Sequence, residues 1–307
     1  MSALTNNRIS VCICTYRREA TLARLLRMLA VQETKNLFEV SVVVVENDAH
    51  APSKDVVLRL GRELGLQIIY EVEPIRTIPA ARNHALRLAD GNFIAMIDDD
   101  EFPPPNWLLT MYRAMQTFEV DGVLGPVRPF FEQQPPTWLT KADFSGAPAY
   151  PTGTLLRWQQ TYAGNALLKS DVCSKHNVRF DESYKIGGED RVFFRSAIEA
   201  GCRFVAVAEA TVYEIVPRER WTRRYYLRRA LANGFNAHKS DSSHTGNLSS
   251  ITTFLKSVVA VCVYAIALPF TLFFGDHILV SVLERAGHHL SRLFATLHIQ
   301  LLKERGF

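Results

Sequence analysis

Along the first hundred residues, runs of β-branched side chains alternate with stretches in which apolar positions recur every three or four residues. ISVCIC (residues 9–14) predicts a strand, and Leu22, Leu25, Leu26 and Leu29 then follow the i, i+3, i+4, i+7 spacing of one helix face. VSVVVV (residues 40–45) is almost wholly apolar and predicts a strand buried on both faces, the pattern of a parallel sheet. QIIYEV (residues 67–72) predicts a third strand, residues 80–89 a helix, and NFIAMI (residues 92–97) a fourth strand. Such repetition predicts an α/β fold with a mostly parallel, Rossmann-like sheet flanked by helices.

Beyond residue 100 the periodicity loosens. A Pro-rich turn, FPPPNW, precedes a helix at residues 108–118, GVLGPV reads as one short strand, and residues 128–158 form a long loop. Loops of that length inside a domain are usually functional. YAGNALLKS resumes as a strand and helix start, residues 189–200 form an amphipathic helix, FVAVA is a further strand, and a basic helix covers residues 220–233. Residues 257–274 then run for 18 positions without a formal charge, near the shortest stretch that spans a bilayer. The part after Gly275 carries Glu284, Arg285 and several His, which suits a helix lying in an interface better than a second span. The expected division is an α/β domain over residues 1–240 and a membrane-associated helical tail over residues 241–307.

Composition sharpens this picture at three points. A formal charge of +4 on 307 residues is too small to indicate nucleic-acid binding, and no nucleic-acid partner is expected. The charge is local instead: six arginines against the single Glu219 lie between residues 218 and 229, interleaved with Trp221, Tyr225 and Tyr226. Arg pairs bidentately with phosphate, and Trp and Tyr favour headgroup depth, so this helix is expected at a membrane surface, on its cytoplasmic side. The five cysteines include no C-x-x-C pair, and MSALTNNRIS lacks the features of a secretory signal, which together predict a reducing, cytoplasmic setting for the first 240 residues.

Two acidic motifs carry candidate chemistry. In IDDDE, Asp98, Asp99 and Asp100 follow an apolar strand directly, where ligands bind in open α/β sheets. Asp98 and Asp100 form a D-x-D pair of hard oxygen donors suited to Mg²⁺ or Mn²⁺ on a nucleotide diphosphate, although a solvated turn explains an isolated run equally well. In GGED, Gly187 and Gly188 precede Glu189 and Asp190 at a helix start, where carboxylates also serve as ordinary dipole partners. A metal-binding acidic set plus a separate carboxylate are the minimum parts for metal-assisted attack by a deprotonated hydroxyl. His84, His176 and Cys173 show no paired zinc spacing and read as packing or surface groups.

CTYRR after the first strand, VVEND after the second, AARN at a helix start, the DDD cluster and GGED occur in an order that resembles family 2 glycosyltransferases with the GT-A fold. VLGPVRPFF, the Pro-Pro-x-Trp ending at Trp138, GNALLKSD and GGEDRVFF make the chain similar to bacterial exopolysaccharide enzymes of that family, over roughly residues 8–235.

The resemblance implies that Thr15, Tyr16 and Arg17 line the nucleotide pocket, that Glu46 and Asn47 contact the base, and that Arg82 faces the donor diphosphate or base. Asp98 and Asp99 would hold the ribose and sugar, Asp100 with Asp98 the metal, and Asp190 would be the general base with Glu189 beside it. Glu46-Asn47 stands where the family commonly has two acids or Asp-Asn. Tyr213-Glu214 stands where related enzymes often place a metal-reaching His, so the metal has one ligand fewer or Glu214 substitutes. Pro217 replaces the Gln of the processive Gln-x-x-Arg-Trp signature, which implies single-sugar addition.

The expected activity is thus inverting transfer of a hexose, glucose from UDP-glucose, onto a polyprenyl-diphosphate-linked oligosaccharide at the bacterial inner membrane. Three alternatives stay open: a polyprenyl-phosphate acceptor, which would need no general base, a nucleotidyltransferase, and a non-catalytic sugar-nucleotide-binding protein.

Overall fold

In the computed structural model, residues 7–142, 149–184, 187–242, 247–271, 273–297, 299 and 301 are described. The N-terminal residues 1–6 and positions 143–148 of the predicted long loop lie outside them.

The chain opens with β1 (Arg8–Thr15), α1 (Glu19–Leu29), β2 (Glu39–Glu46), α2 (Lys54–Leu64), β3 (Gln67–Val72), α3 (Ile78–Leu88) and β4 (Phe93–Ile97). It continues through β5 (Glu101–Phe102), α4 (Trp107–Phe118), β6 (Gly122–Leu124), β7 (Val127–Phe130), α5 (Thr137–Ala142), β8 (Asn165–Lys169), α6 (Asp171–Ser174), α7 (Glu189–Glu199), β9 (Phe204–Ala206) and β10 (Val212–Ile215). Three helices follow: α8 (Arg223–Ser242), α9 (Asn247–Thr271) and α10 (Asp276–Thr296).

The main sheet has the order β3-β2-β1-β4-β8-β6-β9. β1, β2, β3 and β4 run parallel, as their apolar runs predict, whereas β8 is antiparallel to both β4 and β6. After β1 the chain winds to one side through β2 and β3, then crosses to β4 on the other side. That reversal opens a crevice at the C-terminal ends of β1, β2 and β4, the place where ligands bind in such sheets. One apolar layer, with Leu22, Leu25, Leu26, Trp107 and Met111, covers one face of the sheet; a second, with Ala81, Ala85, Phe180, Phe193 and Phe194, covers the other.

GVLGPV, read as a single strand, divides at Gly125-Pro126. β6 joins the main sheet beside β9, and β7 joins a second sheet of order β5-β10-β7. Pro126 has no N–H for a ladder, so the strand cannot continue straight through it. The second sheet holds β5, and therefore Glu101, next to Glu214 of β10, and it closes one side of the crevice.

The predicted basic helix begins as α8 after a short 3₁₀ turn at Arg218–Arg220. Its aromatic residues differ from the expectation of headgroup contact. Tyr226 is buried with Leu139 and Val280, Trp221 packs edge-on against Phe131, and the Trp221 Nε1–H donates to the Val216 carbonyl at 2.9 Å. Ring burial next to α5 and α10 removes more apolar area from water than a solvated helix face would. α10 packs along α8, α5 and α9. At Gly234 on α8 an added Cβ would stand 2.1 Å from the His288 carbonyl oxygen, so the two backbones meet where only glycine fits. α9 contains the one helix segment among the described residues, Thr252–Thr271, that is long and apolar enough to cross a membrane by length and composition.

Candidate functional site

The crevice is a cavity of about 290 Å³ lined by Thr15, Tyr16, Arg18, Asn47, Arg82, Asp98, Asp99, Asp100, Glu214 and Arg220, among others. Each strand end delivers its part. Thr15 closes β1, Asn47 follows β2, and the three aspartates follow β4, whose five residues are all buried. α3 starts on Thr77, whose side chain caps the Ala80 N–H, and carries Arg82 in its second turn beneath the aspartates.

Arginine side chains organise the acids. Arg18 Nη1 donates to Asp99 Oδ1 and Asp100 Oδ2, both at 2.8 Å, while the Thr15 hydroxyl donates to Asp99 Oδ2 at 2.7 Å. Arg220 bridges Glu214 Oε1 at 2.6 Å and Asp100 Oδ2 at 3.5 Å. Arg82 spans the two acidic motifs, donating to Asp98 Oδ1 at 3.0 Å and to Glu189 Oε1 at 2.8 Å. Asn47 ties the crevice to the segment after β3 by donating to the carbonyls of Glu73 and Ile75.

Even with three guanidinium groups, negative charge is in excess. Burial pushes the Asp99 carboxyl up to about 6, with Arg18 pulling against it and Asp100 adding to it. Burial also raises Asp100 and Glu214, which repel each other and Asp98. Glu101, whose Oε2 accepts the Asp98 N–H, is raised well above the usual range for the same reason. Glu189 is pushed up to about 7, burial outweighing Arg82. Arg82 itself moves upward: burial lowers it, and Asp98, Glu189 and Asp190 more than reverse that. A site with surplus carboxylate in a low-dielectric wall favours any added cation.

The hard oxygen donors of Asp98 and Asp100 fit Mg²⁺ or Mn²⁺ chemically, and Arg18 already places a cation between Asp99 and Asp100. Among the described residues, no three His, Cys, Asp or Glu side chains converge to hold a metal by themselves.

The remaining sequence candidates are distributed differently. Arg17 has φ 53°, and its side chain pairs with Asp48 and does not line the cavity. Glu46 is fully buried and accepts the backbone N–H groups of Arg17 and Ser53, fixing the loop that shapes the crevice without lining it. Glu189 reaches the cavity through Arg82, whereas the adjacent Asp190 lines a neighbouring one together with Trp158 and Asn236. Consecutive residues in a helical turn point about 100° apart, which separates the two carboxylates. Arg18 and Arg220 were not singled out from sequence, although Arg18 lies inside CTYRR and Arg220 precedes Trp221 in the motif compared with the processive signature.

The family description "Glycosyl transferase family 2" matches residues 10–176, which run from within β1 past β8 and include the three aspartates. The chain belongs to glycosyl transferase family 2. Within the family it is 35% identical over 228 residues to the succinoglycan biosynthesis protein ExoM of Rhizobium meliloti (strain 1021), covering 74% of this chain and 72% of ExoM. The fold is GT-A. It is similar to the Pyrobaculum calidifontis mannosyltransferase PcManGT in complex with GDP-Man and Mn²⁺, with a TM-score of 0.57, 17% identity, and coverage of 94% of this chain and 88% of that one. S. aureus TarS 1-349 in complex with UDP-GlcNAc superposes with a TM-score of 0.55 at 14% identity, covering 95% and 92%. The chain spans 55% of a longer TarS chain.

Proposed function

We propose that this family 2 enzyme is an inverting, metal-dependent hexosyltransferase of exopolysaccharide assembly. It moves a sugar from a UDP-sugar to a saccharide on polyprenyl diphosphate at the cytoplasmic face of the bacterial inner membrane. The observation that carries the reading is the convergence of Thr15, Asn47, Arg82, Asp98, Asp99 and Asp100 on one cavity, with Asp190 opening onto the next. Similarity to ExoM, a succinoglycan biosynthesis protein, supports the polysaccharide setting, and the complexes of TarS with UDP-GlcNAc and of PcManGT with GDP-Man and Mn²⁺ support the donor and cation.

In this reading Tyr16 and Asn47 hold the base, and Asp99, fixed by Thr15 and Arg18, holds the ribose and sugar. Asp98 and Asp100 would hold a divalent cation, which supplies positive charge to the departing nucleoside diphosphate. Arg82, Arg18 and Arg220 add to that charge from a buried wall, where it is worth more than in water. Asp190 takes the proton of the acceptor hydroxyl as its oxygen attacks the anomeric carbon opposite the leaving group, which inverts that centre. Glu189 positions Arg82. Residues 1–240 carry catalysis, and residues 241–307 attach the enzyme to the membrane.

The test incubates the purified full chain and Mn²⁺ with a panel of UDP- and GDP-sugars, following nucleoside diphosphate release with and without lipid-linked saccharide. Release that requires a UDP-sugar, the metal and the acceptor together is expected. Turnover of nucleoside triphosphates in place of sugar nucleotides would move the assignment to a nucleotidyltransferase.

A further inference from the structure

A second cavity, of about 440 Å³, lies where the start of α7 faces α8 and α10. That volume falls within the roughly 300–1,000 Å³ of small-molecule sites. Its wall combines three chemistries. Trp158, half-buried, with the Arg195 guanidinium 5.0 Å from its ring centre, offers an aromatic surface suited to a sugar ring. Asn233 and Asn236 offer amides suited to sugar hydroxyls, and Arg191, Arg292 and His288 concentrate basic groups around the single carboxylate of Asp190.

We propose that this cavity receives the acceptor as a glycosyl diphosphate on a lipid, with the sugar against Trp158 and Asp190 and the diphosphate between Arg191 and Arg292. This rests on the transferase reading above and adds the part of the acceptor that is recognised. The arrangement follows from the order of groups along the wall. Asp190 and Arg191 belong to α7, so the reacting hydroxyl lies at that end, while Arg292 and His288 belong to α10. α10 packs on α9, where Leu255, Val259, Val263 and Ile266 are exposed, so an apolar tail leaving the α10 end meets an apolar surface. The local field agrees: His288 is pushed down to about 4, by burial first and then by the charges of His289, Arg292 and Arg191. A neutral imidazole there leaves Arg191 and Arg292 as the fixed cations, and guanidinium forks pair with phosphate through two hydrogen bonds.

The full chain in detergent is first saturated with UDP and Mn²⁺, so that the donor cavity is filled, and is then titrated with three probes of equal chain length. These are a prenyl diphosphate-linked glucose, an alkyl glucoside and an alkyl glucuronide. The diphosphate conjugate should bind at least about tenfold more tightly than either alternative. Arg191→Gln and Arg292→Gln should each remove most of that preference, whereas Lys35→Gln, an equal charge change on a remote surface, should keep it. Arg191 is exposed, so its variant reports on binding even where Arg292→Gln disturbs packing. Equal affinity for the conjugate and the alkyl glucoside would overturn the proposal, as would tight binding of the glucuronide or an unchanged preference in Arg191→Gln. Failure of UDP to bind in the first step would count against the transferase reading alone, because the conjugate comparison still reads this cavity.

Discussion

Asp190 and Asp100 divide the site's proposed labour at the level of single atoms. Asp190→Asn keeps the shape and a hydrogen-bonding oxygen but removes the basic carboxylate, so kcat should fall by about 10² to 10⁴ with near-normal UDP affinity. Asp100→Ala should instead abolish the gain in UDP affinity on adding Mn²⁺, because Asp98 alone would remain as anchor. Calorimetry with and without Mn²⁺, together with initial rates, separates the two; equal transfer by Asp190→Asn and the parent enzyme would favour an acceptor phosphate that needs no base. Glu189 makes a different, pH-dependent prediction. Its carboxyl stands at about 7 in the fold against 4.5 for an ordinary Glu, so between those values the folded chain binds a proton that the unfolded chain has lost. Stability from this group is fully present below pH 4.5 and is lost as pH rises towards 7. Glu189→Gln should flatten that part of the curve of denaturation midpoint against pH, and an unchanged slope would show that the group is not the source.

Among the elements, the α8–α10 pair depends most on a close approach. Gly234 presents its α-carbon to the His288 carbonyl, and a methyl group there would overlap that oxygen. Gly234→Ala gains helix propensity but must push the two backbones apart, and overpacking of this kind costs about 1–3 kcal/mol. Thermal melts should therefore show a lower midpoint. A midpoint equal to the parent would mean that α10 is free to shift along α8.

At the scale of the whole molecule, the acidic crevice and the apolar outer face of α9 lie on different parts of the chain. Phe254, Leu255, Val259, Val263, Ile266 and Phe270 are all exposed on one helix, a concentration that soluble surfaces rarely carry. Replacing Val259, Val263 and Ile266 by Ser should move most of the protein from the membrane fraction to the supernatant in high salt, with UDP affinity unchanged. Retention in the membrane fraction would place the attachment elsewhere, with the exposed Arg218, Arg223 and Arg224 the next residues to test.

Sequence alone determined the alternation of strands and helices, because side-chain period is a local property: β1 to β4 and α1 were legible from β-branched runs and the Leu22 to Leu29 spacing. The order of the acidic motifs was legible too, and with it the family. Tertiary structure decided which neighbour of a pair faces the crevice. Arg17 and Arg18 are adjacent and chemically identical, yet Arg17, with its positive φ, pairs with Asp48 while Arg18 joins Asp99 and Asp100 more than 80 residues away. Glu189 and Asp190 part in the same way, one towards Arg82 and one towards the second cavity. GVLGPV showed one apolar run, yet its two halves belong to different sheets because their partners, β9 and β10, lie some 80 residues later. Trp221 and Tyr226 carried the composition of a membrane interface but found α5 and α10 first. In each case the choice depended on through-space neighbours distant in sequence, and periodicity holds no record of those.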